Sequence, residues 1–343
     1  MNNRCAQNAM ACIGAVVGAG FASGREVVAF FSSYGVHSWW LILLSAVASM
    51  TFCALCMRAS RQCCANGWYR LYEAEKPLTR RLARMCGLLL SAVVAGAMAS
   101  ASGHIVQLLW SFERAYLVGA VGTLLLAWTL GFGTLKPLAL ISWTLTGALM
   151  LAVLLALRHP PAQADAIALQ DAPLGFWQLV YAALRAVCYA AMNITIAMGV
   201  VCGCSPSDGR LTCRTSALFG LMLAALLLVS NHLYLSYATV SGDAFPIVRL
   251  LGGFGRAGFV GSALLLYFAI LTTLVALVRA LRNAVESYAM PKPLSVCLTL
   301  APPLALSAVG FSEIVGAWYA PIGLMCMLFI LWPLARRGSS KGA

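Results

Sequence analysis

The stretch from Gly14 to Glu26 reads Gly-Ala-Val-Val-Gly-Ala-Gly-Phe-Ala-Ser-Gly-Arg-Glu and lies inside an apolar span close to the N-terminus. Its glycines at 14, 18, 20 and 24 weaken a helix, because each loses more backbone freedom than alanine would. Arg25 and Glu26 follow at membrane depth, where ionisable groups are rare and usually functional. A helix that breaks inside a bilayer is tolerated only where protein or a cavity satisfies its freed backbone. The segment therefore predicts an interrupted first helix, broken between about Val17 and Ser23, with an interior site at the break.

Composition fixes the class. Of 343 residues, 62% are hydrophobic and 10% charged, and mean hydropathy is +0.87; a soluble domain carries roughly 25% charged residues. No polar stretch is long enough to fold alone, so residues 1–343 read as one transmembrane domain of an all-α integral membrane protein. The first span is too long for a signal-peptide core and lacks a small-residue cleavage site. The net charge of +13 does not point to nucleic acid, because the basic residues sit in short loops where they orient the chain. The 13 cysteines show no zinc spacing; Cys63-Cys64 and Cys202-Gly-Cys204 are too close for ordinary ligand pairs. The rest lie mostly in apolar spans, as small hydrophobes do. No disulfide framework, metal centre or cofactor is expected beyond a coupling ion.

A hydrocarbon core about 30 Å thick needs about 20 apolar residues in a helix. On that measure ten spans are predicted, near 8–33, 39–57, 84–110, 116–132, 137–157, 176–201, 213–238, 257–284, 294–310 and 314–335. With the N-terminus inside, 17 of the 23 Lys and Arg fall in inner segments and four in outer ones. Arg25 and Arg185 lie within spans. The positive-inside rule then puts both termini in the cytoplasm of a multi-pass membrane protein. Five spans per half would turn the second half upside down relative to the first. A long inner loop (58–84) in the first half matches a long outer one (239–256) in the second, and both halves open with a long, interrupted span. The layout fits an inverted five-plus-five repeat, about 8–157 and 176–335, with the site between broken helices 1 and 6.

Glycines also serve helix packing, and Gly14-xxx-Gly18 and Gly20-xxx-Gly24 each match a small-xxx-small contact. Four glycines in eleven residues, followed by Ser23, Arg25 and Glu26, favour unwinding instead. A dinucleotide fingerprint is excluded, since Ser23 stands where its third glycine belongs and no strand precedes it. After a break near Gly18–Gly20, the outer half-helix opens with free N–H groups that attract a carboxylate. The inner half ends in free carbonyls that hold a cation.

The run from Gly14 through Glu26 and on to Val-Val-Ala-Phe-Phe resembles the opening helix of the bacterial YkvI-like membrane proteins. These are similar to members of the amino acid–polyamine–organocation superfamily, which carry the LeuT-type fold. The resemblance implies a secondary transporter of the bacterial cytoplasmic membrane, with a small-molecule, amino-acid-like substrate. It directs attention to Gly18, Ala19, Gly20, Phe21 and Ser23 at the break, and to Tyr189 and Asn193 in the sixth span, as substrate-binding residues. Thr272 and Thr273 in the eighth span match paired hydroxyls that, in LeuT-type symporters, join first-helix carbonyls around sodium. The carbonyls in question here are those near Gly14, Ala15 and Val17. Threonine also bonds back to its own helix, and Asn193 could simply make an interhelical bond.

Charges inside a membrane want partners. Arg25 with Glu313 and Glu26 with Arg185 are candidate gate pairs or fixed welds between helices, and Glu26 is alternatively a carrier of a coupling proton. Two other function classes compete. A receptor or signalling subunit on a transporter fold, in the manner of a germinant-receptor permease, would bind without turnover. An intramembrane enzyme is disfavoured, because histidines 37, 104, 159 and 232 are scattered. The sequence sets neither the solute, the choice of sodium or protons, nor the oligomeric state.

Overall fold

A computed structural model describes residues 3–63, 71–73, 75–133, 175–204, 208–236, 243–286 and 291–340, with isolated helical positions between 144 and 154. The chain is predominantly helical over these residues, with no strand among them. In chain order the helices are α1 (Asn3–Val16), α2 (Ala19–Ser23), α3 (Arg25–Phe30), α4 (Ser38–Cys63), α5 (Pro77–Leu109) and α6 (Ala115–Leu130). There follow α7 (Phe176–Gly203), α8 (Gly209–Leu235), α9 (Pro246–Gly252), α10 (Arg256–Glu286) and α11 (Lys292–Ser307). The last, α12 (Phe311–Arg336), includes two π-helical turns.

Six of these helices are long and apolar enough to cross a membrane, among the described residues: α5, α7, α8, α10, α12 and α4 with the short turn before it. The chain is thus a multi-pass membrane protein. Ten spans were expected. The first is divided into the three short pieces α1, α2 and α3. The fourth and ninth are 16-residue helices, α6 and α11. The fifth, 137–157, lies outside the described residues apart from isolated positions. The segment 239–256, expected on the outer side, holds the short helix α9 within its described residues 243–256.

The core forms around α5, which packs against α6, α10 and α11. Its buried run from Ala92 to Gly103 consists largely of alanine, glycine and serine. Small side chains let helix backbones approach closely where no hydrophobic effect operates between them. At Gly96 there is no room for a methyl group, because Leu306 of α11 lies against it. A second group joins α4, α7 and α8, with α1 against α7 and α8. In α12 each π-helical turn, Ile314–Trp318 and Met327–Leu331, stands just ahead of a proline, Pro321 or Pro333. A proline supplies no N–H and crowds the carbonyl four residues back, and widening the turn relieves both.

One expectation fails here. The sixth span, α7, is a continuous helix over its 28 residues and is not broken. From Phe176 to Met198 it contains neither glycine nor proline. Its mid-span polar groups bond within the helix: Asn193 Nδ2 donates to Tyr189 O at 3.0 Å and Thr195 Oγ1 to Ala191 O at 2.7 Å. Polar side chains bonded to the carbonyl four residues back need no break to be satisfied.

Candidate functional site: the broken first helix

The first helix breaks twice. At the inner break the Gly18 N–H bonds to Val16 O at 2.8 Å, so it does not close the regular turn onto Gly14 O. The Ala19 N–H turns to Thr273 Oγ1 of α10 at 3.4 Å and leaves Ala15 O. Gly18 itself is extended, with φ −93° and ψ −163°. A methyl group there would stand 3.3 Å from Thr273 Oγ1, which is tight. The break therefore leaves the Gly14 and Ala15 carbonyls without their usual N–H partners and seats a hydroxyl of another helix beside Gly18 and Ala19.

At the outer break Gly24 adopts φ +82°, a left-handed conformation that costs an L-residue with a side chain about 1–2 kcal/mol. The Tyr234 hydroxyl packs into the space a Cβ would need. Ser23 secures this kink: its Oγ donates to Gly20 O at 2.7 Å and accepts from the Arg25 N–H at 3.1 Å. Ser23, expected at a ligand, thus has both bonds committed to its own turn.

Thr272 and Thr273 both bond back onto α10, donating to Ala269 O at 2.9 and 3.0 Å. A hydroxyl that donates in one direction keeps lone pairs for another, and those of Thr273 reach the break. Of the expected ion-site residues, the structure brings Thr273 to the break; Thr272 is bonded to the same carbonyl one position earlier.

The expected substrate residues divide similarly. Ala19, Gly20 and Phe21 are buried in α2. The Glu26 carboxylate folds back from α3 into the space that Gly20 leaves for want of a side chain. Tyr189 of α7 stands beside this carboxylate, though not aligned as a hydrogen bond. It is enclosed by Phe30 and Phe31, with ring centroids 5.1 and 5.2 Å away. Asn193 stays bonded to its own helix.

The expected pairing of Glu26 with Arg185 is not made. Arg185 Nη2 instead donates to Ala29 O and to Gly316 O, both at 3.3 Å. Its guanidinium lies 5.0 Å from the Phe30 ring centre. It joins α7, the end of α3 and a π-helical turn of α12, whose altered register offers the carbonyl. Arg25 experiences the charges of Glu313 and Asp243, while Asp243 pairs with Arg249 at 3.3 Å.

Sequence reasoning missed Tyr319, Tyr234 and the Ala269 carbonyl. Tyr319 is fully buried in α12 and within electrostatic reach of Glu26. Its signal was present: a mid-span tyrosine between Gly316 and Pro321. No group of three or more His, Cys, Asp and Glu suited to a metal ion occurs among the described residues.

The helical layout, with its first helix opened beside α10 and α7, resembles that of LeuT-fold membrane proteins. The chain is similar to a solved structure, MhsT in complex with L-phenylalanine, with a TM-score of 0.64 over 94% of this chain and 88% of that one. Sequence identity is 16%, so the likeness is one of fold. No protein-family model matches the chain, and no curated protein does either.

Proposed function

We propose that this protein is a cation-coupled secondary transporter of a small, amino-acid-like organic solute, of the YkvI-like kind and working by alternating access. The observation that carries the reading is the inner break at Val17–Gly18, where a hydroxyl from α10 meets released first-helix backbone. Irregular backbone at membrane depth belongs where it lines a site. The likeness to MhsT, solved in complex with L-phenylalanine, supports an amino-acid-like solute. In this reading the substrate meets Gly18, Ala19, Gly20, Phe21 and Tyr189, and it meets Asn193 only where that amide is released from its bond to Tyr189 O.

Sodium is the proposed coupling ion, held by Thr272, Thr273 and the carbonyls of Gly14, Ala15 and Val17. Hard cations favour such oxygens. Arg185 and the Arg25–Glu313 region act as outer gates, and the inverted repeat supplies the two alternating halves. The protein sits in the bacterial cytoplasmic membrane with both termini inside, as its loop charges direct.

The test is uptake of radiolabelled amino acids into proteoliposomes of the purified protein, with an inward sodium gradient and without it. Gradient-driven accumulation is expected. Saturable binding with no accumulation under any sodium or proton gradient would overturn transport and favour the receptor reading.

A further inference from the structure

Glu26 is 5% exposed at membrane depth, and no Lys, Arg or His pairs with it among the described residues, where the ion pairs are Arg249–Asp243 and Arg282–Glu286. Burying a carboxylate without a cationic partner is costly. Two neighbouring polar groups are left unpaired. The hydroxyls of Tyr189 and Tyr319 are buried and have no hydrogen-bond partner among the described residues. Their residues are 1% and 0% exposed. Both lie within electrostatic reach of Glu26, and Tyr189 within reach of Tyr319. Three elements, α3, α7 and α12, thus bring a carboxylate without a cationic partner and two unsatisfied hydroxyls to the place where the first helix is open.

We infer that Glu26, Tyr189 and Tyr319 form the recognition site for a protonated organic amine, and that the substrate enters as an ammonium whose carboxylate, where it has one, is dispensable. An ammonium carries three N–H donors, and three acceptors are present. Each phenol can accept from the ammonium while donating to the carboxylate. The faces of Tyr189, Phe30 and Phe31 add the aromatic surroundings that attract organic cations. An alkali cation suits the place less well, because two of its oxygens would be phenols. The inference rests on the reading of the opened helix as a substrate site, and it leaves sodium to the carbonyls and threonines on the inner side.

The experiment is a thermal-shift titration of the full chain in detergent at neutral pH. The probes are straight-chain primary amines from ethylamine to hexylamine, together with 2-phenylethylamine. Each is paired with its N-acetylated form and with the carboxylic acid of the same skeleton. At least one amine is expected to stabilise the protein saturably, while its acetylated and acid counterparts do not. Glu26→Gln should weaken that amine by about 10- to 100-fold, the scale of a hydrogen bond to a charged group. Tyr319→Phe, which keeps the ring, should weaken it by roughly 3- to 10-fold.

Absence of a shift with every amine, equal shifts with the acetylated or acid forms, or unchanged affinity in Glu26→Gln would each overturn the inference. So would a Glu26-dependent response to pH alone with none to amines, which would assign the carboxylate to a proton. If Glu26→Gln does not fold, Tyr319→Phe decides: unchanged amine affinity in it overturns the proposal. Binding of an amine without its uptake into proteoliposomes would defeat transport and leave the amine site standing.

Discussion

The first helix and α7 should be counterparts in an inverted repeat, yet one is open and the other is intact. Both carry polar residues at mid-membrane. In α7, Asn193 and Thr195 bond back to the carbonyls of Tyr189 and Ala191, and alanines keep the helix regular. In the first helix, glycine at 24 permits a left-handed residue and glycine at 18 leaves room for Thr273. Groups from outside the regular ladder then take over: Thr273 at the inner break and Ser23 at the outer. A polar side chain at depth is therefore poor evidence of a break. Clustered glycine together with a hydroxyl on a facing helix is better evidence.

The largest expected effect comes from filling the open helix. Gly20→Leu should abolish uptake while leaving the protein in the membrane, because the span stays apolar enough to insert. A side chain at this position would displace the Glu26 carboxylate that packs there. Uptake in proteoliposomes and the amount in the membrane fraction are the two readings, and normal uptake would show that the open helix needs no such clearance. Gly24→Ala should destabilise by about 2–5 kcal/mol, combining a left-handed alanine with overpacking against Tyr234. Thermal unfolding in detergent measures it. A neutral result would mean that the outer kink can relax without consequence, and the contrast with α7 would shrink to the inner break.

Much of this was legible in the sequence, for physical reasons that differ by residue. Hydropathy exposes long apolar helices such as α5 and α10, because a bilayer demands them. The first-helix break was legible because only glycine readily takes the left-handed conformation of Gly24, and because a glycine at 18 lets Thr273 come close. The continuity of α7 was missed because a side chain bonding to its own helix and one bonding to a ligand look alike as letters. The Glu26–Arg185 pairing was missed for a related reason. Opposite charges in neighbouring helices suggest a bond, but Arg185 found carbonyls of Ala29 and Gly316 instead. The second of these depends on a π-helical turn, a register change that spacing rules do not anticipate. Tyr319 required three-dimensional packing to bring it from α12 to Glu26.

An intermediate effect is expected where the opened helix meets α10. Thr273→Val nearly keeps the side chain's shape, removes one oxygen from the proposed sodium site and leaves the Ala19 N–H without its partner. Sodium affinity should fall by about tenfold, the scale of losing one strong polar contact. Because linked affinities are reciprocal, substrate binding should lose sodium dependence by the same factor. Substrate titrations at several sodium concentrations and fixed ionic strength test this in parent and variant. Equal sodium dependence in both would remove Thr273 from the ion site and reduce its role to holding the break open.

The smallest effect should come from the intact helix. Asn193→Ala deletes an amide whose Nδ2 bonds to the carbonyl of Tyr189 on the same turn. That carbonyl retains its place in the helical ladder, so the variant leaves no buried backbone group orphaned. Side-chain hydrogen bonds inside membrane proteins average only about 0.6 kcal/mol, and alanine is the better helix former. The two terms oppose each other, and stability should change by less than about 1 kcal/mol. Uptake decides what stability cannot. If α7 acts only as an intact wall, the apparent substrate affinity stays within about threefold of the parent, the equivalent of well under 1 kcal/mol. A larger loss of affinity with unchanged thermal stability would mean that Asn193 turns from its own helix to the substrate during the cycle. The intact and open helices would then both contribute polar ligands, one through its backbone and one through a side chain released on binding.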